Sequence, residues 1–135
     1  MNPGELRELA RFIAVGVSNT LIGLTVIYVA KWAFHVGDAP ANGIGYAVGL
    51  AVSFTLNSRW TFSYRGSQRT AFIKFMVAAL AAYGMNLLVV MLLIHSAGVN
   101  SYVAQALGMP VYTVIFYFST KYFVFRNGEP PLPKV

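Results

Sequence analysis

The sequence predicts an all-α integral membrane protein of four transmembrane helices, and three observations carry the prediction. First, 57% of the 135 residues are hydrophobic, only 10% are charged, and the mean hydropathy is +0.61. A soluble domain carries about a quarter charged residues, so too little polar surface remains here to coat a globule. Second, the apolar residues gather into four runs, each near or above the roughly 20 residues a helix needs to cross the hydrocarbon core. Third, the basic residues sit at the margins of those runs and nearly all on one side. The length suits one compact bundle without a second domain.

Residues 1–11 form an N-terminal cytoplasmic segment, for which two readings stand. It is either a short amphipathic helix on the inner surface or a plain extension of the first span. Asn2 can cap such a helix, Pro3 suits its first position, and Glu5 falls in its first turn. On the amphipathic reading Leu6, Leu9 and Phe12 face lipid while Arg7 and Arg11 reach headgroups.

The transmembrane domain covers residues 12–125, with spans at about 12–30, 41–62, 72–95 and 102–125. No run alternates strictly as a barrel strand does, and backbone in lipid must satisfy its own hydrogen bonds, which leaves helix. The first run makes a poor signal peptide, because Glu5 and Glu8 dilute its positive flank and no small-residue cleavage site follows. The second run carries a small-residue stripe, Ala41, Gly45, Gly49 and Ser53, that permits close helix contact within the chain or between copies. Pro110 is expected to kink the fourth. Residues 126–135 form a cytoplasmic tail whose prolines prevent a helix, so it is expected to fray.

Nine of the ten Lys and Arg residues share one face of this arrangement, and only Lys31 lies on the other. The positive-inside rule then places both termini and the central loop in the cytoplasm. The net charge of +6 reads as topology and attraction to anionic headgroups rather than as nucleic-acid binding. The two halves also resemble each other. Arg11-Phe12 stands opposite Lys74-Phe75, Asn42 opposite Gln105, and Trp60-Thr61-Phe62 opposite Phe123-Val124-Phe125. Two spans per unit predict a parallel repeat, with its axis along the membrane normal.

Several chemistries are excluded by what the spans lack. All four carboxylates, Glu5, Glu8, Asp38 and Glu129, lie in loops or tails, so no embedded acid can relay protons. Two His, no Cys and no clustered acids leave no metal site, and no nucleophile stands near a base. The chain is therefore not expected to be an enzyme or to carry a cofactor.

A polar, cationic and aromatic cluster remains at the inner ends of spans two and four. The stretch Ser53-Phe54-Thr55-Leu56-Asn57-Ser58-Arg59-Trp60-Thr61-Phe62 interleaves donors with aromatic rings, and Tyr117-Phe118-Ser119-Thr120-Lys121-Tyr122-Phe123 matches it. Arg59 and Lys121 can jointly clamp a phosphate, the first as a fork and the second as a point charge. Interfacial snorkelling accounts for each of them equally well. Asn42 and Gln105 are read as packing residues. Asn19 and Asn86, within spans one and three, serve either packing or a polar headgroup in transit.

These residues resemble the GtrA-like family of small membrane proteins. Its opening pattern looks like Phe12, Gly16, Asn19 and Thr20, its span-two hallmark like Ser53 to Phe62, and its close like Tyr122-Phe123-Val124-Phe125. Thr120 departs from the pattern, standing where the first half has Asn57. The resemblance implies translocation of a polyprenyl-phosphate-linked sugar across the bacterial cytoplasmic membrane for cell-surface polysaccharide synthesis. The alternative it implies is a non-transporting partner that anchors or stabilises a polyprenyl-phosphate glycosyltransferase. On the first reading Arg59 and Lys121 capture the phosphate, Trp60 fixes the depth, and Asn57, Asn19 and Asn86 offer hydrogen bonds to the headgroup. A membrane glycosyltransferase and a parallel homodimer are the protein partners expected.

Overall fold

In the computed structural model, which describes residues 1–126, the chain forms two helical units, Met1–Ser63 and a second that begins at Tyr64. All regular structure among the described residues is helical. The expectation of a frayed tail falls on residues 127–135 and lies outside the described residues.

Unit 1 opens with helix α1, Pro3–Phe34. Asn2 starts it through a reciprocal pair: the Glu5 N–H donates to Asn2 Oδ1 at 2.9 Å, and the Asn2 N–H donates to Glu5 Oε2 at 3.0 Å. Two otherwise orphaned donors are thereby satisfied at the helix start. Residues 3–11 thus belong to the same helix as the first apolar run, which is the extension reading. Phe12 does not face lipid: it is buried, with its ring 6.4 Å from that of Phe62. The chain reverses through His35, in the left-handed conformation, and enters α2, Asp38–Leu56. Lys31 and Asp38 form an exposed ion pair across this turn. The hydrogen bond and charge of Lys31 hold the Asp38 carboxyl below its ordinary range.

Unit 2 repeats this plan with α3, Gln68–His95, and α4, Ser101–Ser119. Ser67 caps α3 by accepting from the Thr70 N–H, and Asn100 caps α4 by accepting from the Tyr102 N–H at 2.9 Å. Pro110 lies inside α4, where it has no N–H to give to the preceding turn.

Small residues set the helix separation in both units. In α2 the stripe Ala41, Gly45, Gly49 and Ser53 is buried against α1, so it packs within the chain. A methyl group on Gly45 would lie 2.9 Å from the Gly23 carbonyl oxygen and 2.8 Å from Ile27 Cδ1. Ala104 and Gly108 occupy the buried face of α4, and a methyl on Gly108 would lie 2.7 Å from Val90 Cγ2. Lipid is as apolar as leucine, so helices in a membrane are held by close packing rather than by water exclusion. Asn42 and Gln105 do not pack as expected: both are exposed, each one residue past the buried stripe and so about 100° round the helix.

Helix α1, helix α3 and α4 with its continuation to Val124 are long and apolar enough to cross a membrane. Counting α2, the chain has three to four candidate membrane helices. The glycines that let α2 approach α1, with Asp38, Pro40 and Asn42, are what lower its hydropathy. Four threonine hydroxyls inside the helices are satisfied locally. Thr20, Thr25, Thr55 and Thr113 each donate to the carbonyl four residues back, at 2.8–3.0 Å.

Candidate site: cationic ends closed by two wide turns

Both α2 and α4 end by widening into one π-helical turn, Asn57–Thr61 and Thr120–Val124. The Phe62 N–H reaches back five residues to the Asn57 carbonyl at 2.9 Å, and the Phe125 N–H to the Thr120 carbonyl at 2.8 Å. Such turns recur at functional sites because the extra residue re-aims the side chains around it. No sequence period announces them, and both fall on the motifs singled out above.

In unit 1 the turn separates two sets of side chains. Asn57, Ser58 and Thr61 are buried, while Arg59 and Trp60 are exposed, the indole to 45%. Asn57 is 1% exposed, and both ends of its amide are engaged. Its Nδ2 donates to Ser53 Oγ at 3.3 Å, and its Oδ1 accepts from Thr61 Oγ1 at 2.9 Å. Asn57 therefore braces the turn that carries Arg59.

Arg11, on α1, reaches the same turn. Its Nη1 donates to the Trp60 carbonyl at 3.0 Å, and its guanidinium carbon stands 5.1 Å from the indole centroid. A carbonyl at a helix C-terminus lacks an intrahelical donor and carries partial negative charge, so a cation there satisfies both. The sequence reads Arg11 as a headgroup-facing residue and as the opening of a half, with no partner for it on another helix. Its partner is 49 residues away, and nothing local marks the pair.

Unit 2 has a related arrangement with different chemistry. Lys74, on α3, places Nζ 5.4 Å from the Phe123 ring centroid. Lys121 lies between two tyrosines, 5.8 Å from the Tyr117 centroid and 5.6 Å from that of Tyr122. Beneath them Phe75 is buried among Phe116 and Phe125, at ring distances of 5.1 and 6.2 Å.

The two asparagines within the spans face glycines. Asn19 Oδ1 sits where a side chain on Gly49 would start, and Asn86 Oδ1 does the same at Gly108. Both oxygens are buried without a hydrogen-bond partner among the described residues. They lie against glycine Cα–H groups, a weak contact worth about 0.5–1 kcal/mol. Measured by helical rise, Asn19 stands about 12 Å beyond Arg11 on α1, and Asn86 about 18 Å beyond Lys74 on α3. Of the expected site residues, Arg59, Trp60, Asn57 and Asn19 thus belong to unit 1, and Lys121 and Asn86 to unit 2.

Long apolar helices closed by cationic, aromatic-rich turns define a small multi-pass membrane protein. The chain belongs to the GtrA/DPMS transmembrane-domain family, whose model matches residues 11–125. It is 34% identical over 89 residues to the uncharacterized membrane protein YngA of Bacillus subtilis, covering 65% of this chain and 60% of that one. It is 39% identical over 57 residues to the bactoprenol-linked glucose translocase of Shigella phage SfX, covering 42% of this chain and 48% of that one. The prophage homolog of that translocase in Escherichia coli K12 is 37% identical over the same length and the same shares. The chain thus spans about half the length of most of these curated relatives.

Proposed function

We propose that this protein translocates a polyprenyl-phosphate-linked sugar from the inner to the outer leaflet of a bacterial cytoplasmic membrane, without being an enzyme. The observation that carries the reading is the turn Asn57–Thr61, whose buried side is braced by Asn57 while Arg59 and Trp60 project from it. Membership of the family and the names of the phage relatives support the substrate class.

On this reading both termini lie in the cytoplasm, because each hairpin returns to the end it started from and the basic residues gather at those ends. The two hairpins act as parallel repeats. An offset of 63 residues, the length of unit 1, relates Arg11 to Lys74, Phe12 to Phe75, Gly45 to Gly108 and Trp60 to Phe123. The cation–aromatic contact and the wide turn recur with that offset. Arg59 and Lys121 capture the phosphate, Trp60 sets its depth at the interface, and Asn57 holds the turn in shape. Asn19 and Asn86 offer their unpartnered amide oxygens to sugar hydroxyls at two depths. With no acid in any span, transport runs downhill and is drawn by consumption of the lipid outside. A membrane glycosyltransferase supplies the lipid, and a second copy of the chain widens the path.

The test is leaflet movement of a defined polyprenyl-phosphate sugar in liposomes holding the purified protein alone. Each charge-assisted hydrogen bond lost costs about 1.5–3 kcal/mol. Arg59→Ala with Lys121→Ala is therefore expected to slow movement by roughly 100-fold or more. Undiminished movement by the folded double variant overturns the site. No movement by the unaltered protein favours the role of a non-transporting glycosyltransferase partner.

A further inference from the structure

Arg11 carries no role in the reading above, yet it is the best-anchored cation at its end of unit 1. It is half-buried, its guanidinium lies over the Trp60 indole, and one N–H is fixed on the Trp60 carbonyl. A guanidinium has five N–H donors in a rigid fork, so this anchoring leaves donors for a ligand while holding the group in place. Neither Arg11 nor the exposed Arg59 has a carboxylate partner among the described residues. Arg59 directly precedes the residue that anchors Arg11, so two arginines serve one turn, Arg11 by its contacts and Arg59 from within it. The turn is also a helix C-terminus, whose partial negative charge disfavours an anion. Arg11 cancels that charge at the Trp60 carbonyl. At the matching position of unit 2, Lys74 brings a point charge over Phe123 and no fork.

We propose that Arg11 binds the phosphate ester of the lipid directly, together with Arg59, with Trp60 as its anchor. The inference rests on the lipid-phosphate reading above and places the principal phosphate contact in unit 1. The fixed Arg11 fork on the phosphate, joined by Arg59, forms parallel, charge-assisted bonds that a lysine cannot reproduce.

The experiment measures equilibrium binding of three lipids to the full protein in nanodiscs: a polyprenyl phosphate, the matching uncharged polyprenol, and phosphatidylglycerol. Arg11→Lys keeps the charge and removes the fork. It is expected to weaken polyprenyl-phosphate binding about tenfold and leave the polyprenol unchanged. Equal binding of the phosphate lipid by Arg11→Lys and the unaltered protein overturns the proposal, as does an equal loss for both prenyl lipids, which marks a structural role. If phosphatidylglycerol binds as tightly with the same Arg11 dependence, the Arg11 site stands and the polyprenyl reading falls. Should Arg11→Lys not fold, arginine-selective dicarbonyl labelling of the unaltered protein decides. Polyprenyl phosphate is expected to protect Arg11 and Arg59 and not Arg69, and an unprotected Arg11 overturns the proposal.

Discussion

Replacing Gly45 by alanine isolates the contact that sets the spacing of unit 1. A Cβ at this position lies 2.9 Å from the backbone oxygen of Gly23 and 2.8 Å from Ile27 Cδ1, with Ile27 Cγ1 closer still. Ile27 can rotate away, but the Gly23 carbonyl belongs to the α1 backbone, so relief requires the helices to part. A separation of about 0.5–1 Å forfeits a quarter to a half of each dispersion contact along the seam. Overpacking of this kind costs about 1–3 kcal/mol. Against it stands a gain of up to about 1 kcal/mol for replacing glycine inside a helix. Gly43, two residues earlier on the same helix, supplies the control, because a Cβ there meets nothing within 4 Å. Gly43→Ala should therefore raise stability by up to about 1 kcal/mol, and Gly45→Ala should fall below it by about 1–3 kcal/mol. Thermal or denaturant unfolding of the purified variants in one detergent measures the difference. If Gly45→Ala is as stable as Gly43→Ala, the close approach of α1 and α2 at Gly23 is wrong.

Two further perturbations test the asparagines. Gly108→Ala drives a methyl into Asn86 Oδ1 and Val90 Cγ2, both side-chain ends that can yield. Its cost should therefore be smaller than at Gly45 and should shrink in an Asn86→Ala background, where only the Val90 contact remains, giving a coupling of about 1 kcal/mol in a double-mutant cycle; strict additivity would refute the contact. Asn57→Ala removes the brace between Ser53 and Thr61 and should lower stability by about 1–3 kcal/mol. An Asn57→Ala protein that melts normally but binds phosphate lipid poorly would instead give the amide to the headgroup.

Much of the fold is legible in the chain because hydropathy and charge are written residue by residue. The first and third apolar runs lie within helices of the structure, the second and fourth end one residue past theirs, and the Asn2, Pro3 and Glu5 start signals act as their local chemistry requires. The stripe Ala41, Gly45, Gly49 and Ser53 is also visible, since four-residue spacing puts it on one helix face. Asn42 and Gln105 show where such reasoning stops. An amide in an apolar run looks like a packing group, but one step round the helix places it off the seam.

The sequence by itself determined that the protein is helical, membrane-spanning and cationic at the ends of its hairpins, because those properties depend only on local composition and on the solvent a segment prefers. Tertiary structure alone decided that Phe12 meets Phe62 and that Arg11 closes on the Trp60 carbonyl. The physical reason is that a helix face has no identity until another helix lies against it. The partners in these two contacts are 50 and 49 residues apart in the chain, and only the close approach of α1 and α2 through glycine brings them together.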